Sequence, residues 1–271
     1  MAERSAYFIE NERTVIHKQD IKIQLEQLGI QKGMLLIVNA DTLHMGYLNG
    51  GCQAVIEALM ECVGYEGTIV VPTFTPQYKD PACQKDKPPR QQWQEIRKQA
   101  LPFDRKLSEP MGADPFVYQF LRNDAVLRSN HPLYSFAAWG KYAKLICDKH
   151  PLHFALGKDS PLGKIYEMNG YCILLGCEYE ACTMFHMAEY QEDIFPVKLV
   201  SAPIESNHRI LWKDLLDIEQ HNENFSEIGE VMEDRKIVKT AYIANSKCHF
   251  FSAREAVNLA STYFHMYYDE I

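Results

Sequence analysis

The first third of the chain alternates between short apolar runs and one amphipathic stretch. Residues 34–38 and 68–71 are apolar runs, which is the pattern of strands buried on both faces of a sheet. Residues 50–63 repeat their apolar positions at the three- and four-residue spacing of a helix. A strand, a helix and a second buried strand predict a βαβ unit, and therefore a parallel core to the sheet.

The same patterns predict the remaining elements. Residues 18–28 predict an amphipathic helix that Gly29 ends, and Phe136 and Trp139 are expected to be buried in a loop-and-strand segment at 127–140. The other predicted elements are helices at 115–122, 143–147, 162–167, 214–234 and 253–267, a strand at 171–176, and a hairpin from 197–204 and 207–213. Together they predict an α/β fold: a single domain over residues 1–271, with a central mixed, largely parallel sheet flanked by helices, plus a β-hairpin.

Residues 77–110 differ from the rest of the predicted domain. The segment is rich in Lys, Gln and Pro, and only residues 91–99, which include Trp93, have a helical pattern. A long polar excursion within a compact domain is usually functional or mobile. Residues 77–110 are therefore interpreted as an insertion that either borders a substrate cleft or is a solvated surface loop.

Charge and composition exclude several classes of protein. The net charge is −8, from 28 basic and 36 acidic residues, which disfavours nucleic acid as a partner. No apolar run has the length of a membrane span, and the amino terminus lacks a signal-peptide pattern, so a cytoplasmic protein is expected. Cys172, Cys177 and Cys182 recur every five residues near His186, but structural zinc ligands are usually closer in sequence, so no metal is expected.

Residues 183–190 carry the most informative chemistry. They follow the predicted strand at 171–176 and place His186 three residues before Glu189. On a helix these two side chains share one face, so the carboxylate could orient the imidazole as a base. The alternative is a core histidine with a solvated glutamate, and spacing alone leaves both open.

Four further segments carry a family resemblance. They are residues 50–51 with 66–75, residues 129–140, residues 156–164 and residues 245–257. With residues 183–190, and in this order, they resemble the aminoglycoside 3-N-acetyltransferase family from about residue 14 to the last helix. The resemblance implies the fold of that family, acetyl-CoA as acetyl donor, an amine acceptor, direct transfer and a role in antibiotic resistance.

The resemblance also implies catalytic roles. His186 is expected to be the general base, Glu189 one candidate for its orienting carboxylate, and Thr183 a donor to the thioester carbonyl or the departing sulfur. Cys182 lies four residues before His186, so an acyl-enzyme is the mechanistic alternative, although the family transfers directly.

The cofactor contacts implied by position form a longer set. They are Asn39, Ala40, Asp41, Thr42, Gly50, Gly51, Thr73, Arg128, Ser129, His131 and Ser135. The family usually has His-Ser-Ser after its first strand, whereas this chain has Asn39-Ala40-Asp41. Two hydroxyls are absent, and a carboxylate lies where an anionic cofactor is expected.

Carboxylates near His186 are the expected acceptor contacts. They are Glu178, Glu180, Asp159 and Glu192, with Asp193 in the same cluster, and no lysine or arginine lies between residues 178 and 193. An aminoglycoside or a similar amine is therefore the expected small-molecule partner of a monomer or homodimer that binds neither nucleic acid nor membrane. The alternatives are an amine acetyltransferase of secondary metabolism and a non-catalytic or repurposed member that binds CoA or another small molecule.

Overall fold

The computed structural model describes residues 15–192, 194–207 and 209–268, which form eleven strands and nine α-helices. The strands are β1 (Val15–Ile16), β2 (Leu35–Ala40), β3 (Tyr47–Leu48), β4 (Thr68–Pro72), β5 (Leu127–Arg128), β6 (Phe136–Gly140), β7 (Tyr171–Leu175), β8 (Val197–Ser206), β9 (Arg209–Ile218), β10 (Val238–Ile243) and β11 (Ser246–Ser252). The helices are α1 (Lys18–Leu28), α2 (Gly51–Val63), α3 (Trp93–Gln99), α4 (Pro115–Leu121), α5 (Ala143–Cys147), α6 (Pro161–Glu167), α7 (Phe185–Glu189), α8 (Phe225–Asp234) and α9 (Ala253–Tyr268). No helix in these ranges is long and apolar enough to cross a membrane.

A seven-stranded sheet in the order β10-β11-β7-β2-β4-β6-β5 forms the centre of the fold. The predicted mixed sheet is confirmed. Parallel pairing is confined to β7, β2 and β4, which is less than the sequence predicted, because the outer strands pair antiparallel. The predicted βαβ unit is β2-α2-β4. The hairpin of β10 and β11, which the hydrophobic pattern did not reveal, extends the sheet beyond β7.

Both faces of the sheet are covered, which explains the continuous apolar runs in its central strands. Leu36 and Val38 pack on one face in a cluster with Ile21 of α1 and Leu59 of α2. Ile37 packs on the opposite face in a second cluster, with Leu162 of α6 and the apolar side of α9. The strand β2 is therefore buried on both sides, as strands at the centre of an α/β sheet are.

The second hairpin is longer than predicted. Strands β8 and β9 each have ten residues, and their register joins Lys198 to Asp217 and Val200 to Leu215. The predicted helix at 214–234 is therefore wrong for its first half, and only Phe225–Asp234 is helical. The physical reason is a two-residue period: Leu215 and Asp217 are buried, whereas Leu216 between them is exposed.

The insertion at 77–110 packs against this hairpin. Its predicted helix is confirmed as α3, and it also contains three short 3₁₀ turns. Asp80 accepts two hydrogen bonds from Arg97, at 2.6 and 2.8 Å, and its main-chain N–H donates to Ser201 of β8 at 2.8 Å. Trp212 of β9 donates from Nε1 to the Arg97 carbonyl at 3.0 Å. The insertion and the hairpin therefore hold each other in place.

The two aromatic residues predicted to be buried on β6 differ. Phe136 is fully buried. Trp139 is only half-buried, because it lies near the end of β6 and packs against the exposed Tyr65, with ring centroids 5.8 Å apart.

Candidate active site

The histidine motif begins at the carboxyl end of β7. Gly176 follows the strand with a φ of +74°, and a side chain there would come within 2.3 Å of the Asp41 carbonyl oxygen. This absence of a side chain lets the loop after β7 approach the loop after β2. A 3₁₀ turn (Tyr179–Ala181) then precedes the motif, and the five-residue helix α7 carries His186 and Glu189.

His186 and Glu189 form a hydrogen-bonded pair on α7, called the dyad below. His186 Nδ1 lies 2.8 Å from Glu189 Oε2, and the glutamate side chain is fully buried, whereas that of His186 is 17% exposed. Glu189 Oε1 accepts a second hydrogen bond, from the main-chain N–H of His221 at 2.7 Å. The imidazole also packs on Phe225, with ring centroids 5.0 Å apart. The carboxylate is thus held by two donors and fixes the ring.

This geometry determines which ring nitrogen can act as a base. A carboxylate only accepts hydrogen bonds, so the neutral imidazole of His186 carries its proton on Nδ1, facing Glu189. The lone pair is then on Nε2, which has no hydrogen-bonding partner among the described residues. Nε2 is therefore available to take a proton from a ligand.

The start of the motif is tied to the end of β2. Asn39 Nδ2 lies 2.7 Å from Thr183 Oγ1, and Asn39 Oδ1 lies 3.4 Å from the Thr183 main-chain nitrogen. The Thr183 carbonyl in turn accepts from the main-chain N–H of His186 at 3.3 Å. A residue predicted to bind the cofactor therefore touches a residue predicted to be catalytic.

The loop that follows Asn39 is held from both sides. The Asp41 main-chain N–H donates to the Leu175 carbonyl of β7 at 2.9 Å. Thr42 is buried, and its main-chain N–H and hydroxyl both donate to Asp114, at 2.8 and 2.6 Å. The Asp41 carboxylate is partly exposed and lies 3.6 Å from the exposed His44. Ala40 is the last residue of β2, at the carboxyl end of this central strand.

The glycine pair opens a cavity at the start of α2. Gly50 and Gly51 have φ values of +93° and +59°, and Gly50, as N-cap, has no side chain to bond the first amides of the helix. A cavity of about 540 Å³ lies here, lined by both glycines, Tyr118 and Arg122 among others. Free amides at a helix start, beside an arginine, suit an anion such as phosphate.

The other predicted cofactor residues lie elsewhere, around the end of β4. Arg128 is buried and donates to the Thr73 carbonyl at 2.9 Å, the Ser135 hydroxyl at 3.0 Å and the Ser108 carbonyl at 2.5 Å. Its guanidinium lies 4.9 Å from the Phe103 ring centroid, and burial lowers its pKa to about 10. Its hydrogen bonds thus hold the insertion against the sheet.

His131 and Ser129 are buried in the adjacent loop. His131 Nδ1 accepts from the main-chain N–H groups of Leu133 and Tyr134, at 3.1 and 2.9 Å, and burial lowers the pKa of its imidazole to about 4. Ser129 Oγ lies 2.9 Å from Nδ1 of His150. These neutral imidazoles are hydrogen-bonding elements of the loop.

A cavity of about 1260 Å³ borders this second region. Its lining includes Arg128, Asn130 and Pro132 together with the insertion and the turn of the β8-β9 hairpin. His186 lines neither this cavity nor the smaller one at α2. The predicted cofactor residues therefore divide into two regions, and only the one that starts at Asn39 contacts the histidine motif directly.

None of the four predicted acceptor carboxylates forms a hydrogen bond with His186 among the described residues. Three of them bond other residues: Glu178 bonds His249 at 3.0 Å, Glu180 bonds Ser226, and Glu192 bonds Ser261. Asp193 lies outside the described residues. Asp159 is exposed and follows Gly157, where a methyl group would lie 3.4 Å from the Tyr190 ring. Its segment therefore packs beside Tyr190, the residue that follows α7.

Two residues near the dyad were not anticipated. Tyr190, directly after Glu189, donates its hydroxyl to Asp217, which is 4% exposed on β9 and whose pKa burial raises. Asp217 lies in the segment predicted to be helical, although the alternation of buried and exposed neighbours around it is typical of a strand. The side chain of Cys182, the alternative nucleophile, is buried in the core with Phe185 and Cys172.

A histidine oriented by a buried carboxylate, beside a buried hydroxyl at the carboxyl edge of a mixed sheet, is a site suited to acyl transfer. Residues 37–265 match the family described as aminoglycoside 3-N-acetyltransferase. The SPbeta prophage-derived aminoglycoside N(3')-acetyltransferase-like protein YokD of Bacillus subtilis (strain 168) is 37% identical over 249 residues, covering 91% of this chain and 92% of that protein. A crystal structure of YokD has a TM-score of 0.90 to this chain and covers 93% of it and 94% of its own chain.

Two further proteins are similar to this chain. Aminoglycoside N(3)-acetyltransferase VII of Streptomyces paromomycinus is 31% identical over 253 residues, 86% of each chain. AAC-IIIb, in its solved structure binary with CoASH, shares the fold with a TM-score of 0.86 at 22% identity, covering 94% of this chain and 98% of its own. The chain belongs to the aminoglycoside 3-N-acetyltransferase family and is thus an acyltransferase.

Proposed function

We propose that the protein transfers an acetyl group from acetyl-CoA to an amine, with His186 as the general base. The observation that carries the proposal is the pair of His186 with the buried Glu189, at 2.8 Å, which leaves Nε2 without a partner among the described residues. An amine that attacks a thioester must first be unprotonated, and an imidazole, with an ordinary pKa of about 6.5, suits the removal of its proton.

The transfer is direct in this proposal. The amine nitrogen attacks the thioester carbonyl carbon, a C–N bond forms, and His186 Nε2 takes the proton that the nitrogen loses. The tetrahedral intermediate collapses, the C–S bond breaks, and the proton passes from His186 to the departing thiolate, which leaves an acetamide and CoA. Glu189 stabilises the imidazolium while it carries the proton, and Thr183 donates a hydrogen bond to the reacting thioester.

The donor is proposed to lie along the carboxyl edge of β2. β2 has β7 as its neighbour on one side and β4 on the other. In α/β sheets, ligands bind at the carboxyl ends of the strands where the chain connections leave in opposite directions, which is the topological switch point. The loop of residues 39–42 leads from Thr183 towards Gly50 and Gly51, because Thr42 Oγ1 lies 3.3 Å from Cys52 Sγ at the start of α2. The phosphates would then lie at the amides of α2 near Arg122.

The second group of predicted cofactor residues acts indirectly in this proposal. Thr73, Arg128, Ser129, His131 and Ser135 are all buried and bonded to one another or to nearby main chain. They would shape the wall of the site rather than contact CoA. The structural neighbour solved as a binary complex with CoASH supports CoA as the class of cofactor.

The acceptor is proposed to be an amine of an aminoglycoside or a similar polyamine. The family and the relative from Streptomyces paromomycinus carry that substrate in their names. Asp159 is the proposed contact for an ammonium group, because it is exposed and its segment packs beside Tyr190. Asp159→Asn should therefore raise KM for the amine and leave kcat unchanged, and the increase should shrink at high salt.

Two measurements test the proposal. CoA at a hundred times its Kd should stabilise the protein by about 2.7 kcal/mol in thermal unfolding. Mass spectrometry should find an acetylated product when acetyl-CoA is mixed with gentamicin, kanamycin or simpler amines. A CoA-dependent shift without any product would favour a non-catalytic member, and the lack of both would rule out CoA chemistry.

A further inference from the structure

Asn39 holds Thr183 through two hydrogen bonds. Its side-chain amide spans the Thr183 hydroxyl, at 2.7 Å, and the Thr183 main-chain nitrogen, at 3.4 Å. The two residues are 144 positions apart in sequence and meet because β2 and β7 are neighbours in the sheet, with their carboxyl ends on the same edge.

The chemistry of the partners determines which way the amide points. The main-chain N–H of Thr183 can only donate, so the atom of Asn39 that faces it must be the carbonyl oxygen Oδ1. The amide nitrogen Nδ2 is then the atom on the hydroxyl, and the reverse orientation would bring two donors together. Because Nδ2 only donates, the oxygen of the Thr183 hydroxyl accepts.

A hydroxyl that accepts from Asn39 keeps its own proton for another partner. No acceptor for that proton is present among the described residues, and Thr183 is 5% exposed. The Thr183 carbonyl accepts from the main-chain N–H of His186 at 3.3 Å, so the hydroxyl lies within one turn of the dyad. A nearly buried donor without an acceptor, next to a base, indicates that a ligand atom supplies the acceptor.

We propose that Asn39 is a positioning residue for acetyl transfer, because it holds the Thr183 hydroxyl as a donor aimed at the thioester. This rests on the proposed function. When the amine attacks, the carbonyl oxygen of the thioester gains negative charge, and when the C–S bond breaks, the charge moves to sulfur. A hydrogen bond from Thr183 stabilises that charge, and the hydroxyl keeps its proton throughout.

Two substitutions of similar size separate this role from a structural one. In Asn39→Asp the carboxylate only accepts, so it attracts both the N–H and the O–H of Thr183 and turns the hydroxyl proton away from the substrate. In Asn39→Leu neither bond exists, and the hydroxyl rotates freely. We expect kcat to fall about 10-fold in Asn39→Leu and about 10²–10³-fold in Asn39→Asp, each measured at its own pH optimum.

The order of the two variants is decisive. If Asn39 served only to pack or tie the loop, Asn39→Asp would be the milder change, since it preserves shape and hydrogen bonding. A kcat for Asn39→Asp at or above that of Asn39→Leu would therefore overturn the proposal.

A double-mutant cycle with Thr183→Val tests whether the effect passes through the hydroxyl. Valine keeps the shape of threonine without its hydroxyl, so Asn39→Asp should change kcat by no more than about twofold in that background. An equal fold-loss in both backgrounds would show that Asn39 acts elsewhere and would contradict the proposal.

Calorimetry with CoA separates positioning from cofactor binding. The Kd for CoA should stay within about twofold of the wild-type value in Asn39→Leu. A tenfold weaker Kd with kcat unchanged would make Asn39 a cofactor contact and overturn the proposal. If the wild type releases no thiol from acetyl-CoA with any amine, the proposed function itself fails. If the wild type releases thiol and His186→Ala releases none, the proposed function stands, and a normal kcat in Asn39→Asp then refutes only the role of Asn39.

Discussion

Glu189→Gln removes one charge and almost no volume from the centre of the site. Glu189 accepts two hydrogen bonds on two different oxygens, from His186 Nδ1 at 2.8 Å and from the His221 main-chain N–H at 2.7 Å. Glutamine has one acceptor oxygen and one donor nitrogen, so it satisfies only one of these partners. Because the main-chain N–H cannot change, the amide nitrogen is expected to face His186.

The imidazole must then change tautomer. An amide N–H that faces Nδ1 requires a lone pair there, so the ring proton moves to Nε2, the atom that should take the proton of the amine. The enzyme loses its base although every atom stays near its place. Loss of a general base costs about 10²–10⁴-fold in rate, or about 3–5 kcal/mol of activation free energy.

The assay is thiol release from acetyl-CoA, with CoA affinity measured by calorimetry and stability by urea unfolding. We expect kcat to fall within that range, the Kd for CoA to stay constant, and the free energy of unfolding to fall by about 1–3 kcal/mol for the altered buried hydrogen bonds. Glu66→Gln, at an exposed pair with Lys141, is the matched control and should change none of the three. A Glu189→Gln enzyme with normal kcat would refute the account of the dyad.

Two further predictions concern stability. Burial lowers the pKa of His131 to about 4, so as pH falls below 6.5 the unfolded chain binds more protons than the folded one, and stability should decrease by about 3 kcal/mol by pH 4 from His131 alone. Urea unfolding at pH 7 and pH 4 measures this, and equal stabilities would contradict it. Gly176→Ala should cost about 3 kcal/mol or more, because its methyl group would meet the Asp41 carbonyl at 2.3 Å in addition to the strain of a positive φ. Gly33→Ala, with a φ of +84° and nothing within 4 Å, is the control and should cost only about 1–2 kcal/mol.

Local patterns predicted those features that local physics determines. The strands β2, β4 and β7 follow from continuous apolar runs, because both faces of each strand are covered. The contact of His186 with Glu189 follows from their three-residue spacing on one helical turn.

Contacts between distant segments were beyond the same reasoning. Nothing near Asn39 in sequence indicates that it bonds Thr183, and nothing near Glu178 indicates that it pairs with His249 on β11. Asp217 was misplaced because acidic residues alone resemble a solvated helix, whereas the burial of Leu215 and Asp217 reflects a strand that packs on one face. The burial of Arg128 was equally beyond prediction, because it depends on the insertion folding over the guanidinium.

The most direct test of the central claim is the single-turnover rate of acetamide formation by His186→Ala. The enzyme is saturated with acetyl-CoA and mixed with an amine that the wild type acetylates, and the product is quantified by mass spectrometry. We expect a rate about 10²–10⁴-fold below that of the wild type. CoA affinity should remain at the wild-type value, whereas the free energy of unfolding should fall by about 1–3 kcal/mol, because the buried Glu189 carboxylate loses the hydrogen bond from His186. A His186→Ala protein that forms product at nearly the wild-type rate near neutral pH would contradict the account.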